Sequence, residues 1–388
     1  MHEHDYGFSD ELLMIKDTVR KFVNYEVIPL EENEDSDATE LPAAQVAELQ
    51  EKTREMGMFQ PGVPEDLGGG GLDFFSYTSI MEDMSKHRQG LYNVGCGAFG
   101  YPIIPILYAG NEEQKEKYLL PSVRGEMRGC FAITEPSGGS DPARAIRTRG
   151  IKKDGGWVIN GSKCWITHAG KSDYATVFVR TDDGPVGTRG EITCFIVEMG
   201  TPGFAVGNKI PVIRPDAPYE LLFEDCFVPD SQLLGERGGG FAFLKSLLTS
   251  ERIPYAAQCV GLAQKAMEMS IEYAKIRETF GKPLAERQAI QWMLADAALD
   301  IHSARLITLN AARLKTEGKP HQYEASMAKV YATEAASRVI DSAMQIHGGM
   351  GLAKELPLER WYRELRTRRI GEGPSEIHRM VIARELLN

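Results

Sequence analysis

WVINGSKCWIT, residues 157–167, governs the reading of the middle of the chain. Two short runs rich in β-branched and aromatic residues flank Asn160-Gly161, and an Asn-Gly pair between such runs is the strongest short-range signal for a β-hairpin. A hairpin turning at Asn160-Gly161 is therefore predicted. ATVFVRT (175–181), ITCFIVEM (192–199) and PGFAVGN (202–208) continue the strand rhythm, and DDGP (182–185) and GTPG (200–203) read as turns between them. Residues 126–236 thus form a β domain.

The pattern changes on both sides of this segment. Residues 1–125 read as helical, with Leu12, Leu13, Ile15, Val19 and Phe22 spaced for one helix face. PGVPEDLGGGGLDF (61–74) is a loop by its proline and glycine content, and helix resumes from Tyr77 to His87. In residues 237–388 the helical period returns, with Ala256, Val260, Ala263 and Met267 on one face and Met293, Ala297, Leu299 and Ile301 on another. Long helices with few breakers imply an antiparallel bundle. The order is α, β, α, and the expected fold class is α+β: an N-terminal helical domain, a barrel- or sandwich-like β domain and a C-terminal four-helix bundle.

Bulk properties narrow the function. A net charge of −11 over 388 residues argues against nucleic-acid binding, which needs a basic surface to neutralise phosphates. The charged N-terminus has no signal-peptide core, and no run approaches the roughly 20 apolar residues of a membrane span. The expectation is a cytoplasmic protein without membrane insertion. Six cysteines scattered without C-x-x-C pairs read as reduced, buried small hydrophobes. His2 and His4 flank Glu3, and a mobile terminus explains them better than a metal site; no metal is expected.

No H-E-x-x-H, G-x-x-x-x-G-K-[ST], G-x-S-x-G or strand-linked G-x-G-x-x-G occurs. What remains is CFAITEPSGGSDPA (130–143) and KCWITHAGKSDY (163–174), which bring hydroxyls at Thr134, Ser140 and Thr167, amides at Ser137-Gly138-Gly139 suited to a phosphate, and a flat face at Trp165. Turn chemistry around a core tryptophan explains either stretch alone. Near the C-terminus, RIGEGPSEIHR (369–379) sets Glu372 between two glycines ahead of a helical segment, either as a helix entry or as a carboxylate presented into a cavity.

Taken with RETFGKPLAERQAIQWMLAD (277–296), QIHGGMGLAKELPLERWYRELRTRRIGEGPSEIHR (345–379), PEDLGGGGLD and YAGNEEQKEKYL, these stretches closely resemble the acyl-CoA dehydrogenase family over nearly the whole chain and in the family's order. The resemblance implies FAD as cofactor, an acyl-CoA substrate, electron-transferring flavoprotein as the acceptor and a homotetramer. It implies that Thr134 and Thr167 hydrogen-bond the isoalloxazine, that Trp165 packs on it, and that Ser140 faces a pyrophosphate of substrate or cofactor. It assigns Arg277, Thr279, Phe280, Gln288, Gln345 and Gly349 to cofactor contacts across a subunit interface. Arg277 also suits a diphosphate by its fixed fork of donors. Substrate contacts are expected from Ser140, Arg252, Gly371 and Gly373.

The reaction implied is α,β-dehydrogenation of the thioester, with Glu372 in the family's position for the base that removes the α proton. Glu251 stands where a branched-chain subset carries its base. It reads as the base, as a second acid that tunes Glu372, or as a helix-start residue; Glu372 is favoured for its glycine flanks. Gly371 replaces a tyrosine common before the base, which predicts room for a branched, cyclic or bulky acyl group. Pro374 replaces a common threonine, and Thr249 stands where some members carry an acidic contact to the CoA adenine. An acyl-CoA oxidase or flavin monooxygenase of the same fold, and a non-enzymatic acyl-CoA-binding protein, are the alternatives.

Overall fold

The computed structural model describes residues 6–184 and 187–388, so His2, His4 and Pro185 of the DDGP turn lie outside the described residues. Two compact units result: Met1–Gly62, Gly70–Phe99 and Thr249–Asn388 form one, and Val63–Gly69 with Gly100–Leu248 form the other. The first is helical. The second holds the sheet.

The strands of the second unit are β1 (Gly129–Ala132), β2 (Arg149–Lys153), β3 (Gly156–Ile166), β4 (Tyr174–Arg180), β5 (Ile192–Glu198), β6 (Phe204–Lys209), β7 (Tyr219–Pro229) and β8 (Leu233–Leu234). They run in the order β6-β7-β3-β2-β4-β5-β8, and β1 pairs in parallel with β4. Every residue of β4 is buried, because its alternating side chains serve two cores. Ala175, Val177 and Val179 pack with Trp157, Phe195, Leu221 and Val228, while Tyr174 and Phe178 pack with Ile104, Tyr118, Leu119 and Ile196. Such a strand reads as a continuous apolar run, as ATVFVRT does.

The predicted hairpin at Asn160-Gly161 is not there. β3 runs through both residues without turning, and its pairing with β7 shifts register between Ile159 and Gly161, so the pair forms a bulge. Gly161 has φ +144°, and a Cβ on it would lie 2.6 Å from Thr148 Oγ1. Asn160 turns its amide across the sheet, donating to Asp225 Oδ1 at 3.1 Å and accepting from the Asp225 amide at 2.8 Å. The hairpin instead turns at Asp154-Gly155, where Gly155 has φ +75° and Lys153 pairs with Gly156. An Asp-Gly pair carries the same left-handed preference as Asn-Gly, and flanking strand length decides between them.

The helices of the first unit include α1 (Asp10–Phe22), α2 (Ala43–Glu55), α3 (Phe74–Met84), α4 (Gly240–Ile276, in this unit from Thr249 onward), α5 (Gln288–Thr316), α6 (Gln322–His347), α7 (Leu358–Arg368) and α8 (Ser375–Leu387). Ser9 caps α1 by accepting from the Leu12 amide at 3.1 Å. Leu12, Val19 and Phe22 are buried as expected, but Leu13 is exposed and Lys16 takes an inward position by pairing with Asp83 at 2.7 Å. Ala256, Val260, Ala263 and Met267 join Ala297, Ile301, Ala328, Ala332 and Ile340 in the core of the antiparallel bundle. Small residues there let helix backbones approach closely. Leu299 does not share the face of Ala297. Two residues place it about 200° round the helix, and with Trp292 and Leu306 it forms an exposed apolar stripe at seven-residue spacing. All six cysteines are free and buried.

Candidate active site

In the sheet unit the TEP and KCWIT stretches are tied together by a buried ion pair. Lys163 Nζ lies 2.7 Å from Glu135 Oε1 and also donates to the carbonyls of Phe178 (2.6 Å) and Ile133 (3.1 Å). Glu135 further accepts from the amides of Arg147 and Thr148 at 2.7 and 3.0 Å. The Cys164 amide donates to Thr134 O at 2.9 Å. With its lone pairs so satisfied, Glu135 remains ionised: despite the opposing pull of burial, Lys163 and the amides hold its pKa below the usual carboxylate value. The pair was missed in the sequence because a lone lysine in a strand ordinarily points to water.

This clamp sets Thr134 and Trp165 on neighbouring segments. Trp165 sits at φ +62° in a second irregularity of β3, between buried Cys164 and Ile166, with its indole 54% exposed. A twisted backbone thus presents a large aromatic face outward. Thr167 Oγ1 accepts from Arg214 Nη2 at 3.2 Å. Gly139 permits close approach to Thr134, since a Cβ there would lie 3.1 Å from Thr134 Cγ2. Ser140 is exposed. Of the amides expected to meet a phosphate, that of Gly138 is already committed to Glu135 O at 3.0 Å.

In the helical unit, Glu372 occupies the turn between α7 and α8 at φ +56°, a left-handed conformation that is strained for a residue with a Cβ. Three side chains hold that turn by its carbonyls. Arg252 Nε and His378 Nε2 donate to Glu372 O, each at 3.1 Å, and Lys329 Nζ donates to Gly373 O at 2.7 Å. Arg252, expected among the substrate contacts, is thereby engaged with the turn. Burial drives the His378 pKa down to about 3, so its ring is neutral and carries its proton on the nitrogen facing the carbonyl. Lys329 is likewise pulled down, to about 8, by burial.

The Glu372 carboxylate itself is left free: its Oε2 is buried and has no hydrogen-bond partner. Burial raises its pKa above the usual carboxylate range, against the pull of Arg252, Arg368 and Lys329. Glu251, on α4, is close enough to feel this charge. Crowding by protein and the Glu372 carboxylate raise it to about 7, although its side chain still reaches solvent. The space expected at Gly371 is bordered by another aromatic residue. A Cβ on Gly371 would lie 2.8 Å from Tyr255 Oη. The tyrosine missing from position 371 is thus partly replaced by one from α4.

The remaining predicted cofactor residues lie on the helical unit's surface. Arg277, Phe280, Gln288, Gln345 and Gly349 are exposed and Thr279 is half-buried. Phe280, 98% exposed at φ +50°, crowns the two-residue hairpin formed by Glu278–Thr279 and Lys282–Pro283. One further polar cluster, Glu31, His87 and Cys96, is buried. Glu31 takes hydrogen bonds from His87 (3.0 Å), Cys96 (3.4 Å) and the amides of Arg88 and Gln89 (3.0 and 2.9 Å). It ties together three segments of the helical unit.

The sheet unit thus offers an outward-facing indole, and the helical unit a buried carboxylate oxygen without a hydrogen-bond partner. The chain belongs to the acyl-CoA dehydrogenase family: the N-terminal, middle and C-terminal domains of acyl-CoA dehydrogenase match residues 9–126, 130–226 and 238–387. It is 41% identical over 384 residues to the mitochondrial short-chain specific acyl-CoA dehydrogenase of Bos taurus, covering 96% of this chain and 89% of that one. It is 37% identical over 396 residues to (R)-benzylsuccinyl-CoA dehydrogenase of Thauera aromatica, covering 99% and 97%. Butyryl-CoA dehydrogenase from Megasphaera elsdenii superposes with a TM-score of 0.86 at 34% identity, over 99% of this chain and 100% of that one.

The family's cofactor is FAD, and the residues present fit it. The exposed Trp165 indole offers a stacking face, the Thr134 and Thr167 hydroxyls offer hydrogen bonds, and Arg277 offers charge for a diphosphate. Among the described residues no helix is long and apolar enough to cross a membrane.

Proposed function

We propose that the protein removes the elements of hydrogen from Cα and Cβ of an acyl-CoA thioester, giving the 2-enoyl-CoA, and that Glu372 is the base. The observation that carries this reading is the buried, unpartnered Glu372 Oε2 on a turn fixed by Arg252, His378 and Lys329. A carboxylate in water is too weak a base for a thioester α proton. Removing its hydration and raising its pKa brings it nearer to what the step demands. FAD, when bound, supplies the acceptor for the β hydride and the two electrons it carries.

Of the two acids, Glu372 has the stronger support for its charged form, from Arg252, Arg368 and Lys329, whereas Glu251 has only Lys315. Near neutral pH Glu251, raised to about 7, is partly protonated and tunes its neighbour instead of replacing it. Arg252, His378 and Lys329 act as positioning residues, since they touch the turn carbonyls. Thr134, Thr167 and Trp165 hold the flavin ring, Ser140 faces a pyrophosphate, and Gly371 and Gly373 border the acyl chain.

Electrons pass on to electron-transferring flavoprotein. The working form is a homotetramer, in which exposed Phe280 and the Trp292, Leu299 and Leu306 stripe meet neighbouring copies, and Arg277, Thr279, Gln288, Gln345 and Gly349 complete cofactor sites. The deciding experiment mixes FAD-loaded protein anaerobically with a set of acyl-CoAs. Bleaching of the flavin supports the reading, a flavin indifferent to every thioester refutes it, and rapid reoxidation in air after bleaching would mark an oxidase.

A further inference from the structure

Buried charges elsewhere in the helical unit are matched. Arg360 pairs with Glu364 at 2.9 Å, Arg305 with Glu82 at 2.8 Å and Asp83 with Lys16 at 2.7 Å. Arg368, the last residue of α7 and three positions before Gly371, is different. It is 3% exposed, its Nε has no hydrogen-bond partner, and among the described residues it forms no ion pair. Its guanidinium lies 4.0 Å from the ring centroid of Tyr255 and 4.6 Å from that of Tyr92. Stacking on two aromatic faces returns part of the cost of removing a cation from water, but only an anion offsets most of it.

The surroundings indicate where such an anion would come from. Arg252 and Lys329 are committed to the carbonyls of the Glu372 turn, whereas Arg368 makes no hydrogen bond to it and acts on Glu372 by charge alone. Tyr92 and Tyr255 are only half-buried, and Tyr255 Oη stands where a side chain at Gly371 would begin. Burial raises the Tyr255 pKa, so the phenol stays a neutral donor. Its present acceptor is Arg368 O at a long 3.4 Å. Gly371, by lacking a side chain, lets the Tyr255 hydroxyl stand beside the turn that carries the base.

We propose that Arg368, with the Tyr255 hydroxyl beside it, binds a carboxylate at the far end of the acyl group, so that the substrate is the CoA monothioester of a dicarboxylic acid. The inference rests on the dehydrogenase reading above and adds the acyl class to it. The planar fork of arginine matches a carboxylate by two parallel hydrogen bonds, and a methyl-ended acyl chain would leave it buried and unpaired in the complex. The α proton still goes to Glu372 and the β hydride to the flavin; the distal carboxylate takes no part in the bond changes.

The test uses stopped-flow flavin reduction of the FAD-loaded protein with CoA monothioesters of four- to six-carbon dicarboxylic acids, each against the straight-chain acyl-CoA of equal length. The expected result is kcat/KM at least about tenfold higher for the acid at one or more lengths, as for a charge-assisted hydrogen bond. Compared at the pH of maximal reduction, Arg368→Gln should lose that preference whatever it does to the methyl-ended rate, and Arg368→Lys, which keeps a charge beside Glu372, should keep part of it. Equal or better reduction by the methyl-ended thioester at every length would overturn the proposal while leaving the dehydrogenase intact. So would an Arg368→Gln variant that leaves the acid-to-methyl ratio unchanged, since the residue would then act only as a counter-charge for Glu372. A flavin bleached by neither class would remove both readings. Should Arg368→Gln fail to fold, the wild-type ratio alone decides.

Discussion

The Glu135–Lys163 clamp and the Glu372 turn both take charges out of water, and they do so in opposite ways. At the clamp, each charge meets its partner and the remaining donors and acceptors go to backbone groups. At the turn, the backbone is held while the charged ends are not: Glu372 Oε2 and the Nε atoms of Arg368 and Arg369 are buried without hydrogen bonds. Matched burial fixes a scaffold. Unmatched burial keeps a group reactive, or keeps it waiting for a ligand.

The contrast breaks most sharply at the clamp. Lys163→Met leaves Glu135 charged and alone, and should destabilise the fold by about 3–5 kcal/mol, whereas adding Glu135→Leu should recover much of that loss. Thermal unfolding of the single and double variants reads the difference; equal losses in both would mean that the pair is not the unit.

At the turn the corresponding substitution should spare the fold and remove the chemistry. Glu372→Gln retains volume but cannot accept the proton, so anaerobic flavin reduction should fall by at least about 100-fold. Glu251→Gln should lower it by less than about tenfold. If the losses come out reversed, the roles of the two acids must be exchanged.

Acidity sharpens the comparison further. Flavin reduction should rise with pH through a midpoint above 4.5 as Glu372 ionises, with a second inflection near the Glu251 pKa of about 7 that is absent from Glu251→Gln. For stability the sign is opposite to that of the clamp. Glu251 keeps its proton in the folded state up to about 7 but loses it near 4.5 when unfolded, so its favourable contribution is present below 4.5 and is lost as pH rises through 7. The melting temperature of Glu251→Gln relative to the parent should therefore be higher at pH 8 than at pH 4.

The smallest difference concerns two glycines. A Cβ on Gly161 meets Thr148 Oγ1 at 2.6 Å and Thr148 Cα at 2.7 Å, so Gly161→Ala must move backbone and should cost about 1–3 kcal/mol. A Cβ on Gly371 meets the tip of a tyrosine, which can swing. Gly371→Ala should cost less than about 1 kcal/mol and show itself as a few-fold change in KM with kcat kept. A larger stability loss at Gly371 than at Gly161 would contradict the flexible-neighbour argument.

What was legible in the sequence follows the same division. The α, β, α order, the strands of ATVFVRT and ITCFIVEM, and the apolar face of α4 are set by local periodicity, and they are present. Asn160-Gly161 misled because a bulge and a hairpin place the same demand on the backbone; only the partner strand tells them apart. Leu13 and Leu299 were assigned to inner faces on an approximate helical spacing, and the true helix angle puts them outside. Family resemblance pointed to Glu372, Glu251, Trp165 and Thr134, but not to what holds them. Lys163 on Glu135, Lys329 on Gly373 and Tyr255 against Gly371 join positions 28, 44 and 116 residues apart, and no pattern along the chain records such contacts.

Glu372 also bears on how the chain has been shaped. A left-handed backbone costs a residue with a side chain roughly 1–2 kcal/mol, and glycine would occupy the position without that cost. Selection for a more durable protein, blind to turnover, would therefore drift towards glycine here and yield a hardier, inert molecule. Consensus or thermostability redesign should hold residue 372 fixed, and the strain at this one position measures how far catalysis and endurance pull apart in this fold.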